Sequence, residues 1–255
     1  LAIARGEFVA FLDADDLWAP EALADRIALL QAHPEAGLVY SWTDCIDESG
    51  RFARPGGHIT CTGNVHRRLL VQNFLENGSS AIVRRSVLKD VGGFDESLRY
   101  GEDWELWLRI AEHYPFVAIS KVQVLYRVSR YASSANVRNL ERGARSATDL
   151  AFARAPQEWQ NLKQRSLANL YEYLYFKTFS GAVRRRSGAI ALEFLCQALR
   201  YDRHLRSHVS LWLRALWKAV AIAVLPQRLA YKCLNQIGNA AMVHVEILNC
   251  IRADR

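Results

Sequence analysis

Short apolar runs alternate with helix-spaced apolar residues in the first half of the chain. Residues 8–12 are five successive apolar positions that end at Asp13, and similar runs occupy residues 37–42, 80–83, 116–119 and 122–127. Runs of this length predict buried strands. Residues 20–33 have the apolar spacing of a covering helix that stops before Pro34. The alternation predicts an α/β domain.

A second helix is predicted to begin at Glu102, because apolar residues recur at helical spacing from there. They are Trp104, Trp107, Leu108 and Ala111. This spacing predicts one buried face, and Glu105 with Arg109 is interpreted as an ion pair on the surface of the helix. Upstream, Arg84 and Arg85 are interpreted as a solvated helix start in preference to a phosphate contact.

From residue 137 onward the pattern is helical throughout. Residues 162–179 and 189–199 predict a helical hairpin. In residues 209–225 a broad apolar face is formed by Leu213, Leu216, Trp217, Val220 and Val224. Two cations and about seventeen residues are unfavourable for a bilayer span. An in-plane helix on an anionic membrane surface fits the pattern, and packing of the same face on the hairpin is the alternative.

Three carboxylates follow the first apolar run. In an extended backbone, Asp13 and Asp15 point to the same side and Asp16 to the other. The pair Asp13 and Asp15 offers hard oxygen ligands to Mg²⁺ or Mn²⁺ and leaves most of the coordination shell for water and phosphates. The alternative is an acidic turn that caps the helix after Pro20.

Two segments resemble family 2 glycosyltransferases, the large nucleotide-sugar-dependent group with the GT-A fold. The first is residues 4–16, which end in Phe11-Leu12-Asp13-Ala14-Asp15-Asp16; the second is residues 91–109, which include Gly92-Gly93-Phe94-Asp95 and Gly101-Glu102-Asp103-Trp104. The resemblance implies a GT-A-like (Rossmann-like) α/β sandwich with a mostly parallel sheet over residues 1–136. Residues 137–255 form a basic helical appendage outside it.

The resemblance also implies roles on the acceptor side. Asp103 is the general base that takes a proton from the acceptor hydroxyl, the role of the matching Asp in inverting members of the family. Glu102 orients a glycan or lipid-linked acceptor. Trp104 is a candidate for stacking on the acceptor sugar, although its place on the apolar stripe favours core packing.

On the donor side, the resemblance assigns Asp15 to the metal and Asp13 to the ribose and the water shell of the metal. Arg127 is a candidate for a phosphate contact. The family often has Tyr-Arg-x-His at residues 126–129, but this chain has Ser129, so a contact through His cannot be carried over. The start of the family's fold, which holds the nucleotide base, has no counterpart here. We therefore expect an N-terminally truncated chain with weakened nucleotide binding.

Composition and charge add two constraints. Residues 1–150 carry 17 Lys and Arg against 20 Asp and Glu, and residues 151–255 carry 16 against 6, a net charge of +10. The second half is therefore basic, but it has no signature of nucleic-acid binding. The five cysteines have no CxxC spacing, which favours a reducing compartment without structural zinc. The predicted location is the cytoplasm, including the cytoplasmic face of the inner membrane.

The sequence thus predicts metal-assisted, inverting transfer of a sugar from a nucleotide-sugar donor. One alternative is a degenerate module that binds a glycan without turnover. A second is a phosphatase of the haloacid-dehalogenase type, which also has Asp-x-Asp after an apolar strand. That motif continues with Thr or Val, whereas Leu17 and Trp18 follow here.

Overall fold

The computed structural model describes residues 3–129, 136–179, 184–226 and 229. The strands are β1 (Phe8–Ala10), β2 (Leu17–Trp18), β3 (Leu38–Ile46), β4 (Phe52–Pro55), β5 (Ala81–Arg84) and β6 (Phe116–Arg127). The helices are α1 (Ala22–Ala32), α2 (His66–Val71), α3 (Arg85–Val91), α4 (Glu102–His113), α5 (Val137–Arg154), α6 (Leu162–Lys177), α7 (Arg185–Tyr201), α8 (Arg203–Ser207) and α9 (Val209–Val224). The predicted α/β class is confirmed.

The described strands form one mixed sheet in the order β1-β5-β3-β6-β2, with β4 beside β3. Only β3 and β6 are parallel, and every other pairing in the described part is antiparallel. The sheet is therefore mixed rather than mostly parallel as predicted, because β5 inserts between β1 and β3 antiparallel to both. The sequence predicts two strands where β6 stands, but β6 continues through Ser120 and Lys121 because irregular register against β3 accommodates them.

The first apolar run is not the fully buried strand that its composition predicts. β1 has three residues, pairs only with β5 within the described part of the chain, and ranges from half-buried to exposed. Leu12 is 49% exposed. Val9 and Phe11 pack against the larger core, and Phe8 packs against the smaller one on the other face of the sheet. The strand thus keeps period-2 alternation and carries residue 13 toward the α4 face.

The larger core lies between the sheet and α4. The predicted apolar stripe of α4 is buried, and Leu106, Trp107 and Leu108 have no exposed surface. Ala147, Ala151 and Phe152 of α5 join the same cluster. Glu105 is predicted on the surface, but it is 2% exposed and accepts hydrogen bonds from Arg109 and Arg154. An i,i+4 pair therefore forms as predicted, but in the interior.

Arg84 is also placed differently from its predicted solvated position. Its guanidinium donates to the backbone carbonyls of Ala36 (2.9 Å), Leu30 and His33 at the end of α1. It lies over the Phe8 ring, 5.3 Å from the centroid. These bonds add a charged donor to the carbonyls at and just after the end of α1, so Arg84 joins α1 to the sheet.

The chain divides into two compact units. The first contains the described residues up to 129 together with residues 142–163, and the second contains residues 136–141 and those from 164 onward. Residues 142–163 thus pack with the first unit, beyond the boundary expected at residue 136. Within the described residues, no helix is both long and apolar enough to cross a membrane.

In the second unit, α9 packs on α7 through small residues. A Cβ placed on Gly188 of α7 would lie 2.4 Å from the backbone nitrogen of Ala223, so the two helices meet where only glycine fits. Ala215, Ala219 and Ile222 are buried on this side of α9. The predicted apolar face is therefore split, because Leu213, Trp217 and Val224 remain exposed.

Candidate active site

The acidic turn (residues 13–16) leaves β1 and is closed by its own backbone. The N–H of Asp16 donates to the carbonyl of Asp13 over 3.1 Å. Asp16 is 5% exposed; its Oδ2 accepts from the hydroxyl of Ser79 at 2.6 Å, and its Oδ1 accepts from the backbone N–H of Arg127 at 2.9 Å. The third carboxylate is therefore a structural residue. Residues 13–16 form a hydrogen-bonded turn, so the alternation expected for an extended backbone does not apply to these carboxylates.

Ser79 lies in the short 3₁₀ turn Gly78–Ser80, which precedes β5. Its Oγ accepts a hydrogen bond from the backbone N–H of Asp13 at 3.0 Å while it donates to Asp16. One buried hydroxyl thus holds both ends of the acidic turn. No local pattern indicates this residue, because it lies 66 positions from Asp13 and belongs to no motif.

Asp13 and Asp15 are the exposed carboxylates of the turn. Within the part of the chain that the structure describes, neither side chain has a hydrogen-bond or ion-pair partner. The pKa of Asp13 is raised, first by partial burial and then by the negative charge of Asp15. A cation bound between them would relieve this repulsion.

These two carboxylates fit a metal that is shared with a substrate. Mg²⁺ and similar cations in nucleotide sites take one or two protein carboxylates, and phosphates and water complete the shell. Among the described residues, no three His, Cys, Asp or Glu side chains form a ready metal centre. The metal predicted at Asp15 therefore requires oxygen ligands from the donor.

Asp103 lies in the first turn of α4, after Gly101, whose φ of 73° is in the left-handed region. The pKa of Asp103 is raised to about 6, chiefly by burial of its carboxyl; the backbone N–H of Trp104 opposes this shift, and the charges of Glu102 and Asp13 add to it. The charge of Asp13 thus acts on Asp103. The structure brings the two motif blocks of the sequence into one site.

Aromatic packing explains why the two blocks meet. The Phe11 ring, two residues before Asp13, contacts Phe94 with ring centroids 5.1 Å apart and Trp107 with centroids 5.8 Å apart. Both contacts are edge-to-face, which is a favoured geometry for aromatic pairs. The first block therefore packs directly on the turn and the helix of the second block.

The other acceptor-side residues differ in their exposure. Glu102 is half-buried, and its Oε2 is a buried atom with no hydrogen-bond partner in the described part of the chain. A buried carboxylate oxygen without a partner is unusual in a folded protein. Trp104 is 6% exposed and donates its indole N–H to the carbonyl of Leu69 at 3.1 Å. This placement favours the core-packing interpretation of Trp104.

The loop before α4 is held by a close backbone approach. A Cβ on Gly143 of α5 would lie 2.2 Å from the carbonyl oxygen of Tyr100. Only glycine permits this approach, because any side chain would displace the loop. Gly143 therefore fixes the segment from which Glu102 and Asp103 project.

Arg127, at the end of β6, is bonded to loops around the acidic turn. Its Nε donates to the carbonyl of Asp15 at 2.9 Å, and its Nη1 donates to the carbonyl of Asp47 at 2.9 Å. Close by, the Ser129 hydroxyl donates to Glu48 at 3.0 Å. The predicted contact of Arg127 with phosphate stays a prediction, while its observed bonds join the acidic turn to the loop after β3.

Comparison with known proteins identifies the family of this chain. The model of the family "Glycosyltransferase like family 2" matches residues 1–191. The chain belongs to this family. An uncharacterised glycosyltransferase of Methanocaldococcus jannaschii is 29% identical over 127 residues, which are 49% of this chain and 43% of that protein. The O-antigen biosynthesis protein RfbC of Myxococcus xanthus is 34% identical over 112 residues, which are 44% of this chain and 8% of that protein.

Two solved structures align with most of this chain at low similarity. A mannosyltransferase from Pyrobaculum calidifontis, in complex with GDP-Man and Mn²⁺, is 19% identical, has a TM-score of 0.46, and aligns with 97% of this chain and 64% of its own. TarS of S. aureus, in complex with UDP-GlcNAc, is 16% identical, has a TM-score of 0.41, and aligns with 78% and 66%. Both scores are too low to support conclusions about ligands. The family 2 chain spans less than half the length of each curated relative named above.

Proposed function

We propose that this family 2 chain transfers a sugar from a nucleotide-sugar donor to a hydroxyl group of a glycan or lipid-linked acceptor, with inversion at the anomeric carbon. One observation carries the proposal: the charge of Asp13, whose neighbour in the acidic turn is Asp15, acts on Asp103 and helps to raise the pKa of Asp103 to about 6. A metal-ligand pair beside a carboxylate base is the arrangement that this reaction needs. The relation to an O-antigen biosynthesis protein favours polysaccharide synthesis.

In the proposed mechanism, Asp103 accepts the proton of the acceptor hydroxyl as its oxygen attacks the anomeric carbon. The bond from that carbon to the phosphate oxygen breaks, and the nucleoside diphosphate leaves from the opposite face. A pKa of about 6 leaves the carboxylate mostly ionised at pH 7 while keeping it basic enough to take a proton. Glu102 would orient the acceptor through its unpartnered Oε2.

Asp13 and Asp15 would hold the diphosphate end of the donor through Mg²⁺ or Mn²⁺. The bound metal supplies positive charge that stabilises the departing diphosphate. Arg127 donates a hydrogen bond to the carbonyl of Asp15 and so holds the backbone of the acidic turn in place. Phosphate would supply the remaining metal ligands, and donor and metal should therefore bind together.

Calorimetry with Mn²⁺ and a panel of nucleoside diphosphates tests the donor site. We expect metal-dependent binding by the wild-type chain and at least about 10-fold weaker binding by Asp15→Ala, since a metal ligand is lost. Asp149→Ala is the matched control, because Asp149 is an exposed carboxylate that pairs only with Lys163 at 2.8 Å among the described residues. Binding that survives Asp15→Ala, or that needs no metal, would contradict the site.

Calorimetry together with an assay for the release of nucleoside diphosphate separates the proposed enzyme from the main alternative, a degenerate binding module. A degenerate module would bind a glycan but would neither bind a nucleoside diphosphate with metal nor release one from a nucleotide sugar. Release of nucleoside diphosphate from the donor by the wild-type chain, and its loss in Asp15→Ala, therefore distinguishes an enzyme from a binding module.

We also propose that α9 contacts an anionic membrane surface from the cytoplasmic side. Leu213, Trp217 and Val224 are 46%, 57% and 66% exposed and lie four and seven residues apart on one side of the helix. Arg214 is exposed beside them. The net charge of +10 over residues 151–255 complements anionic lipid. Exposed apolar stripes of this kind commonly mark a surface that binds a partner or a membrane.

Sedimentation with phosphatidylcholine vesicles, with and without phosphatidylglycerol, tests this contact. We expect binding only to the anionic vesicles, and a loss of about 10-fold or more in the double variant Leu213→Ser and Trp217→Ser, because two large apolar side chains no longer enter the interface. Tyr173→Ser removes another exposed aromatic ring of the second unit and serves as the control. Equal binding by all three proteins would refute the proposal.

A further inference from the structure

We propose that Ser79 is a positioning residue that determines how tightly the acidic turn binds metal and nucleoside diphosphate, and that buried Arg26 holds Ser79 in place. This inference rests on the proposed donor site. It assigns a function to Ser79 and Arg26, which belong to neither of the two sequence blocks and contribute no exposed group to the site.

The geometry of Ser79 is that of a clamp. Its Oγ accepts from the N–H of Asp13 and donates to the carboxylate of Asp16, so it joins the first and last residues of the acidic turn. Asp16 is in turn bonded to the backbone N–H of Arg127. Asp15 lies between these fixed points. Its exposed carboxylate is therefore directed by bonds that Asp13 and Asp16 make, and not by contacts of its own side chain.

Arg26 supports this clamp from the interior. Its side chain is fully buried on α1, and its Nη1 donates to the carbonyls of Ser79 at 3.3 Å and Ser80 at 3.0 Å. Its guanidinium also lies 4.5 Å above the Trp18 ring, and the Trp18 indole N–H donates to the carbonyl of Ser79 at 2.9 Å. Two donors thus converge on one carbonyl.

Burial of the charged Arg26 side chain lowers the stability of the fold unless other interactions compensate for it. Burial lowers the pKa of Arg26 to about 10, so the guanidinium stays charged at neutral pH, and its Nη2 has no hydrogen-bond partner within the described residues. Burying a charge without full pairing opposes folding. Part of this cost is offset by the hydrogen bonds that the guanidinium donates to the carbonyls of Ala22, Ser79 and Ser80.

The consequence for function follows from how outer residues affect metal sites. Residues that orient a ligand without touching the metal typically change metal affinity by 10–100-fold when they are removed. Ser79 orients the whole turn, and no other side-chain hydroxyl in the described part of the chain bonds to it. Loss of the Ser79 hydroxyl should therefore weaken binding by about that factor without removing any ligand.

Ser80 provides a matched control in the next position. Both serines have no exposed surface, and the Ser80 hydroxyl donates to the carbonyls of Leu75 and Asn77, away from the acidic turn. Ser79→Ala and Ser80→Ala therefore each remove one buried hydroxyl that is hydrogen-bonded. We expect similar losses of thermal stability in both variants, but weaker Mn²⁺-dependent binding of nucleoside diphosphate, by about 10–100-fold, only in Ser79→Ala.

Two measurements test the role of Ser79 and the existence of the donor site independently. Calorimetry with Mn²⁺ and nucleoside diphosphate reports affinity, and hydrogen exchange of the backbone amides of Asp13 and Arg127 reports the order of the turn without any ligand. We expect faster exchange at both amides in Ser79→Ala and no change in Ser80→Ala. Ser79→Cys, which keeps the size of the side chain with a weaker hydrogen-bonding group, should give intermediate values.

Different outcomes would contradict the role of Ser79 and the donor site. Equal affinities of Ser79→Ala and Ser80→Ala, or unchanged exchange in Ser79→Ala, would overturn the role of Ser79. Absence of metal-dependent binding by the wild-type chain would overturn the proposed donor site and, with it, the effect on affinity. Faster exchange in Ser79→Ala would then show a structural clamp alone, which also contradicts the inference as stated.

Discussion

Asp103→Asn is expected to lower the rate of sugar transfer by about 10²–10⁴-fold and, at pH 8, to make the folded chain more stable. The rate falls because Asn cannot accept the proton of the acceptor hydroxyl, and general-base catalysis contributes about this factor. Asn has nearly the same shape as Asp, so the site keeps its form. A structural residue would show the opposite effect on stability when it is replaced.

The gain in stability follows from the direction of the pKa shift. Burial raises the pKa of Asp103 from 3.8 to about 6, so the folded state favours the protonated form. The stability from this preference is fully present below about pH 4 and is lost as the pH rises through about 6. Asn stays neutral at every pH. We therefore expect Asp103→Asn to raise the free energy of unfolding at pH 8, and to change it little at pH 4.

The size of the gain has an upper limit. Two pKa units correspond to about 3 kcal/mol, and Asp103 as a residue keeps partial exposure, so about 1–2 kcal/mol is the expected range. Thermal unfolding of the metal-free protein at both pH values measures it. For the wild-type enzyme, the rate of transfer should also fall as the pH drops below about 6, since the base is then protonated.

Asp95→Asn is the control with the opposite sign. The hydroxyl and backbone N–H of Ser97 lower the pKa of Asp95, so this carboxylate stabilises the folded state when it is ionised. Asp95→Asn should therefore destabilise the chain at pH 8 and have less effect at low pH. If Asp103→Asn were active, or destabilised in the same way as Asp95→Asn, Asp103 would not be the buried base.

The features of this site that the sequence predicts are those that depend on residues close together in the sequence. An acidic turn is one of the two interpretations that residues 13–16 allow, and the structure shows this turn closed by the N–H of Asp16 on the carbonyl of Asp13, although no carboxylate of the turn caps α1. Asp103 in the first turn of α4 follows from helical spacing. These features depend on residues that are close in sequence.

The missed features depend on distant residues. Ser79 is recognised only through bonds to residues 63 and 66 positions away. Arg26 looks like an ordinary polar position in a covering helix, and its role depends on carbonyls 53 and 54 positions away. No local pattern distinguishes a buried arginine from an exposed one, because its aliphatic stem and charged end suit both environments.

The sheet shows the same limit. The apolar runs predict strands at β1, β3, β5 and β6 but not the short β2 and β4. They also do not give partner or direction: β5 inserts between β1 and β3, antiparallel to both. Ser120 and Lys121 resemble a turn in the sequence, but they are exposed residues within β6, where the register against β3 shifts. Pairing on each side, rather than the polarity of two residues, determines where this strand ends.

Glu105→Ala is expected to lower the free energy of unfolding by about 3–5 kcal/mol, more than the loss of either buried serine hydroxyl near the acidic turn. Glu105 is 2% exposed, and Arg109 donates its Nε to both carboxylate oxygens at 2.9 Å and 2.8 Å. Arg154 of α5 donates to Oε1 at 3.2 Å. Removal of the carboxylate takes the ion-pair partner from the partly buried Arg109, while Arg154 keeps Glu112 at 2.9 Å.

The loss should spread beyond α4 because Arg109 has further partners. Its Nη groups donate to the carbonyls of Val91 and Gly93 at 2.6 Å each, and so tie the turn after α3 to α4. Phe94 of that turn packs on Phe11 before the acidic turn. We therefore expect Glu105→Ala to reduce metal-dependent nucleotide binding as well, even below the unfolding temperature.

Urea unfolding of the wild-type chain, Glu105→Ala and Asp149→Ala measures the effect. Asp149 pairs with Lys163 at 2.8 Å on the surface, where both side chains are more than a third exposed, so its removal should change the free energy of unfolding by less than about 1 kcal/mol. A loss in Glu105→Ala as small as that in Asp149→Ala would mean that water reaches the pair, and Glu105 would then have no role in holding the two motif blocks together.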